Sequence, residues 1–223
     1  MKKGSFYKKI IKRLLDIILS VSALIVLSPV FVVTAFAIKL SSPGPVLYYS
    51  KRTKKGHKPF HFYKFRSMHI TGNDKGLFVA DEKRLFKVGK IIRRLKIDEL
   101  PQLINVIKGD MSIVGPRPMP YESVDTTYYG KYQEILNVRP GLTSAASLFD
   151  YTVGDTYVDN DAYMREVLPY KLKMEILYIE KESFIYDTSL VIRTMITILY
   201  VLIGKKNLPE QWEYEYVKRV KCA

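Results

Sequence analysis

A chain of 223 residues, 48% hydrophobic and 26% charged, has room for one sizeable core or a core plus a membrane element; it excludes two ordinary catalytic domains and a predominantly disordered polymer. The formal net charge of +14 calls for an anionic partner, and nucleic acid, phosphorylated ligands and lipid headgroups all fit that description. The only cysteine, Cys222, lies beside the last residue, which rules out an internal disulfide framework or a thiolate zinc cluster and allows a reducing cytosolic setting.

From Ile17 to Ile38 the text IILSVSALIVLSPVFVVTAFAI carries no charged residue and is long enough to be a membrane candidate. It is too long for the apolar part of a signal peptide and has no convincing processing region, so it is expected to be retained. Pro29, after Ser28, interrupts the helix ladder, and the Ser28 hydroxyl can re-satisfy a nearby carbonyl. The 12 residues from Ile17 to Ser28 reach roughly 18 Å as a straight helix, short of the ~30 Å hydrocarbon core. Basic residues flank both ends: Lys2, Lys3, Lys8, Lys9, Lys12 and Arg13 before, Lys39, Lys51, Arg52, Lys54, Lys55 and Lys58 after. This charge distribution favours a helix that enters and leaves on the cytoplasmic side over a single tilted span or a soluble core helix. Asp16, at helical spacing from Lys12 and Arg13, reads as a neutralised interfacial charge.

SSPGP at Ser41–Pro45 ends the apolar helix in a turn. Val46–Lys51 and Phe60–Met68 read as short strands around the basic turn TKKGHKP, which predicts a small hairpin. Lys83–Lys96 has helical spacing, with a basic face that suits solvent, headgroups or a nucleotide phosphate. IDELPQLINVIKGD predicts the next helix: Asp98 as its cap, Glu99 as a favourable first-turn charge, Pro101 in the first turn and Gly109 as the stop. Arg93 and Arg94 precede that acidic pair, and the rigid text Gly115-Pro116-Arg117-Pro118 follows it. The same residues therefore suit carboxylates placed for magnesium or nucleophilic chemistry beside cations that neutralise phosphoryl oxygens. RPGLT at Arg139–Thr143 is either a plain loop or a phosphate or sugar contact. Tyr170–Glu182 and Phe184–Ile203 are helical, and charges at Asp187, Arg193, Lys205 and Lys206 favour interfacial helices over a second span. Tyr178, Tyr186 and Tyr200 suit either that boundary or a core.

In order and spacing, KRLLDIILS, SPGPVLYYSKR, YKFRSM, IDELPQLINVIKGDMSIVGPRP and RPGLT resemble the bacterial monotopic phosphoglycosyl transferases. The likeness covers most of Lys12–Thr143 and, through the helical tail, extends to about Ile203. It implies that Asp98 is the nucleophile and Glu99 its acidic partner, with Mg2+ near the pair held by Asp98 and open to Glu99. Arg93 and Arg117 are implied as phosphate-binding residues, and Lys64, Arg66 and Arg139 as further members of the polar site. Ser28 and Pro29 match the break in the family's re-entrant helix. TSAASLFDY lacks the glycine, tryptophan and glutamine that follow the corresponding threonine in many relatives, which leaves the sugar contacts open. The additional multispanning N-terminal region of larger members has no counterpart, so a nearly minimal catalytic form is expected.

The resemblance implies an α+β fold: a small mixed helical and strand catalytic head at 41–169, a basic N-terminus and re-entrant helix at 1–40, interfacial amphipathic helices at 170–206 and a tail at 207–223. The implied reaction moves a sugar 1-phosphate from a UDP-sugar to undecaprenyl phosphate at the bacterial inner membrane, with the head facing the cytoplasm. Membrane lipids are implied partners, and a homodimer is allowed. No nucleic-acid recognition fold accompanies the charge, so no such partner is expected. The reading from a different class is a non-catalytic scaffold on anionic lipid, in which Asp98 and Glu99 only start a helix.

Overall fold

The computed structural model describes residues 7–69, 84–153, 157, 159–205 and 211–220. A π-helical turn at Tyr7–Ile11 runs into helix α1, Lys12–Val26, and after Leu27 the chain bends by 60° into α2, Ser28–Ser41. Pro29 occupies the first turn of α2, where its missing N–H costs no helical bond, and the Ser28 hydroxyl donates to the Ile25 carbonyl at 2.8 Å. The pair is inside-out by the standards of a water-soluble protein. Its buried positions include Asp16, Ser20 and Thr34, whereas Leu14, Ile18, Ile25, Val26, Val33 and Phe36 are exposed.

The base of α1 is bolted to the head. Arg13 donates to the carbonyls of Val106 and Ile107 at 2.6 and 2.8 Å, at the negative end of helix α4 (Gln102–Lys108), where the Val106 carbonyl also accepts from the capping Gly109 amide. Asp16 accepts from the Ile113 amide at 2.9 Å, and Lys12 pairs with Glu182 at 2.9 Å and Asp187 at 2.8 Å. The interfacial charge expected at Asp16, offset by Lys12 and Arg13, is thus also a buried tether. Its helical neighbours bond acceptors that come from remote sequence.

Strands β1 (Leu47–Lys54) and β2 (Lys58–Phe65) form an antiparallel hairpin in the register Arg52↔Phe60, Ser50↔Phe62 and Tyr48↔Lys64. Alternation puts Phe60, Phe62 and Lys64 on one face, so a lysine ends an otherwise apolar inward row. Of the helix expected over Lys83–Lys96, the regular part is α3, Lys87–Arg94; Lys83 lies outside the described residues. Gly89 lets α3 lie on the chain leaving β2, since a Cβ there would sit 1.9 Å from the Ser67 carbonyl oxygen.

After α4, stopped by Gly109 at φ +85°, strand β3 (Ser112–Val114) pairs in parallel with β4 (Gly141–Thr143). Between them lie a short helix α5, Val124–Thr127, and a 3-10 segment, Gly130–Asn137. The short ladder sets the turns GPRP and RPGLT side by side at a distance only glycine permits. A Cβ on Gly141 would lie 2.1 Å from the Gly115 nitrogen and 2.4 Å from its oxygen. Gly141→Ala is therefore expected to destabilise the head by about 3 kcal/mol, at the upper end for overpacking. A urea unfolding midpoint equal to wild type would refute this close-approach argument.

Helices α6 (Ala145–Thr152), α7 (Asn160–Glu166) and α8 (Leu168–Lys181) complete the core. Leu172, Met174, Ile176 and Leu177 of α8 pack against Val124, Tyr128, Ile135, Phe149 and Val217. This differs from the interfacial helix expected over Tyr170–Glu182: its charged Lys171 and Glu175 are buried with partners from other elements. Helix α9, Phe184–Leu202, is different. It is long and apolar enough to cross a membrane and leaves Ile185, Ile192, Met195, Leu199 and Leu202 exposed. Helix α10, Trp212–Arg219, is clamped to it by Arg193, which bonds both Glu213 oxygens at 2.7 Å.

Candidate active site

Asp98 and Glu99 lie in a single 3-10 turn, Ile97–Glu99, wedged between α3 and α4 and entered through Lys96 at φ +54°. A left-handed lysine is uncommon because its Cβ crowds the backbone. Here it reverses the chain, so that the next two carboxylates face the hairpin. Asp98 does not cap α4: that helix follows Pro101 and has no side-chain cap. Its carboxylate is 4% exposed, with Oδ2 at 3.7 Å from Lys64 Nζ and Oδ1 without a hydrogen-bond partner among the described residues. A buried carboxylate oxygen left unpaired costs stability and asks for a functional reason.

Glu99 is the opposite case. Arg117 grips it with two bonds, 3.0 Å to Oε2 and 2.5 Å to Oε1, and Lys64 donates to Oε1 at 2.8 Å. Burial alone would raise its carboxyl, but Arg117 and Lys64 overcome that and hold it well below the usual carboxylate range. At Asp98 burial wins: its pKa is raised, with Glu99's charge adding to the rise and Lys64 opposing it. Two adjacent acids thus acquire unlike characters, one clamped as an anion and one under-coordinated. Burial also lowers Lys64 from the ordinary lysine range, against the pull of both acids.

The structure brings together Lys64, Asp98, Glu99 and Arg117. Arg93 contributes favourable charge to Asp98, while its guanidinium rests on the Met68 sulfur at 3.9 Å. Arg66 points elsewhere: it donates to the carbonyls of Pro43 at 2.5 Å and Ser42 at 2.7 Å, closing the exit of α2 onto the hairpin. Arg139 is exposed and makes no side-chain hydrogen bond or ion pair among the described residues. Ser28 and Pro29 sit at the helix bend described above.

Three participants escaped sequence reasoning. Arg52 lies on the same hairpin face, over the Phe62 ring at 5.5 Å, and burial together with the neighbouring Arg117 lowers its pKa to about 10. Its signal was the register that pairs it with Phe60. Lys96 adds positive charge near both acids and lies over the Tyr151 ring at 4.5 Å. Glu175 stands behind Arg117, and a lone acid within KMEILY was its only mark.

No group of three metal-ligating side chains occurs among the described residues. The Asp98 carboxylate can serve a cation, whereas both Glu99 oxygens are consumed by Arg117 and Lys64. The site therefore fits an ion that takes one carboxylate and draws its other ligands from water and substrate phosphates, the habit of Mg2+.

Comparison with known proteins puts this geometry in a family. The chain is 39% identical over 196 residues to the UDP-N-acetylgalactosamine-undecaprenyl-phosphate N-acetylgalactosaminephosphotransferase of Aeromonas hydrophila, matching 85% of this chain and 44% of that protein. It is 36% identical over 194 residues to the UDP-glucose:undecaprenyl-phosphate glucose-1-phosphate transferase of Caulobacter vibrioides, 84% of this chain and 69% of that one. It is also 36% identical over 202 residues to the exopolysaccharide production protein PSS of Rhizobium leguminosarum, 85% of this chain and 96% of that one. Against the Aeromonas relative the chain spans less than half the length. The family model described as bacterial sugar transferase matches residues 7–201, which take in the bent helix pair, the carboxylate turn and nearly all of α9, and the chain belongs to that family.

Proposed function

We propose that the chain moves a sugar 1-phosphate from a UDP-sugar to undecaprenyl phosphate and releases UMP, with Asp98 as a covalent relay. The observation that carries this reading is the buried, unpaired Oδ1 of Asp98 beside a Glu99 fully engaged by Arg117 and Lys64. In the first step Oδ1 forms a bond to the sugar-bearing phosphorus as the bond from that phosphorus to the bridging oxygen breaks. The bridging oxygen leaves with UMP. In the second step an oxygen of the lipid phosphate attacks the same phosphorus and releases the Asp98 carboxylate.

Arg117 and Lys64 stand where charge gathers as the diphosphate arrives, and Glu99 keeps them fixed in its absence. Bound Mg2+ would supply further neutralisation of phosphate charge, with the Asp98 oxygen that does not attack, Oδ2, as its protein ligand. The inside-out helix pair and the apolar face of α9 support a head seated at a bilayer margin. There a lipid acceptor need not leave the membrane and the nucleotide sugar arrives from the cytoplasm; the reading places the protein at the bacterial inner membrane, in the initiation of surface glycans.

The test is a panel of UDP-sugars with undecaprenyl phosphate in vesicles, read as UMP release. One sugar is expected to give UMP together with a polyprenyl-diphosphate-sugar. Firm vesicle binding without UMP release from any member would instead favour a lipid-binding scaffold.

A further inference from the structure

Glu175 of α8 is a buried acid that the two-step reaction does not use. It is 3% exposed, and its Oε1 accepts from the Arg117 amide at 2.9 Å and from the Ser144 hydroxyl at 3.1 Å. Its Oε2 has no hydrogen-bond partner among the described residues. Lys171, one turn earlier, is engaged elsewhere: it donates to Asp150 at 2.6 Å and to the Tyr163 hydroxyl at 2.7 Å. Arg117 and Ser144 face Glu175 from the two turns, Lys171 from its own helix and Asp150 from α6, while Tyr128 and Tyr186 also feel its charge. Burial outweighs the stabilising donors and pushes the carboxyl up to about 7.

A carboxylate in this setting is poor cement. A well-packed apolar side chain of similar size would remove an unmatched oxygen and a desolvated charge. What Glu175 does provide is a bridge between the two turns that β3 and β4 lay side by side. Through the Arg117 amide it reaches GPRP, and through Ser144, which caps α6 by accepting from the Ser147 amide at 3.0 Å, it reaches the end of RPGLT. The held amide belongs to the same residue whose guanidinium grips Glu99.

We propose, building on the transfer reaction above, that Glu175 is a positioning residue: by holding the Arg117 amide it sets the direction from which the Arg117 guanidinium meets Glu99 and the sugar-bearing phosphate. An error of an ångström in such a group is costly to a reaction that depends on aligned charge.

The informative substitution is Glu175→Met, which fills similar space without an acceptor. Thermal unfolding should show it at least as stable as wild type, with the gain larger at pH 8 than at pH 5. The sign follows from the raised pKa: wild-type stability is highest while Glu175 is protonated in both states and falls as pH rises through the folded value near 7. UMP release under single turnover should nevertheless slow at least tenfold, whereas Glu175→Gln, which keeps a carbonyl acceptor, should stay within about threefold of wild type. In an Arg117→Ala background, E175M should slow the reaction no more than about twofold further. An E175M protein as fast as wild type, an E175Q protein as slow as E175M, or equal slowing with and without Arg117 would each overturn the assignment. A wild-type protein without turnover would sink the reaction itself, a result distinct from active wild type with equally active E175M.

Discussion

Asp98→Asn is expected to abolish both turnover and the covalent adduct while leaving vesicle association unchanged. The side chain keeps its size and its place beside Lys64 but loses the anionic oxygen that would bond to phosphorus. Loss of a nucleophile in a preorganised site lowers turnover by about 10^4-fold or more. Intact-protein mass spectrometry with UDP-sugar and no lipid acceptor should show wild type gaining the mass of a sugar phosphate and D98N gaining nothing. An adduct mapped to another residue, or a D98N protein that turns over normally, would remove Asp98 from the mechanism. Vesicle flotation serves as the control, because the apolar helices carry none of this chemistry.

Glu99→Gln is expected to slow transfer by about 10^2- to 10^3-fold, the usual scale for losing one preorganised electrostatic partner. Gln cannot hold Arg117 in a charged fork, and Lys64 loses its shorter ion pair, so both cations are freed to swing toward Asp98. Asp98 also loses the neighbouring negative charge that raises its pKa and becomes a weaker nucleophile. Stability should fall at neutral pH by at most about 3 kcal/mol, because a largely buried guanidinium is left without its carboxylate. The folded pKa of Glu99 is depressed, so its contribution is present above the ordinary glutamate value of 4.5 and disappears as pH drops through the lower folded value. The difference in melting temperature between wild type and E99Q should narrow accordingly in acid, and a constant difference would contradict the ion-pair account. Quenched-flow labelling then separates the two half-reactions: adduct that forms slowly points to the first displacement, adduct that accumulates points to the second.

Local chemistry was the readable part of this sequence. A serine and a proline inside an apolar run mark a helix break by their own backbone demands, and β-forming residues around a Gly-containing turn mark a hairpin. The observed hairpin ends differ by up to three residues from those expected, since the ladder continues as far as cross-strand partners exist. Tertiary partnership was what the text concealed. Asp98 fits every rule for a helix cap, yet it sits inside the 3-10 turn Ile97–Glu99, and Leu100 and Pro101 come between it and the helix it would cap. Arg66 carries the same charge as Arg117, but the first closes a backbone turn and the second meets a carboxylate; nothing within a few residues of either distinguishes them. α8 hid its burial because the groups that satisfy Lys171 and Glu175 arrive from Asp150, Ser144 and Arg117.

The grip of Arg13 and Asp16 has a mechanical corollary. They seize α4 and β3, the two elements that follow the carboxylate turn and lead into GPRP, so three hydrogen bonds couple the base of the bent helix pair directly to the elements that carry the proposed site. On the proposed seating at a bilayer margin, the height of Asp98 above the acyl chains is set by how deeply the bent helix pair beds down. A thinner or thicker bilayer would raise or lower the reaction plane itself, and the acceptor's phosphate must travel to meet it.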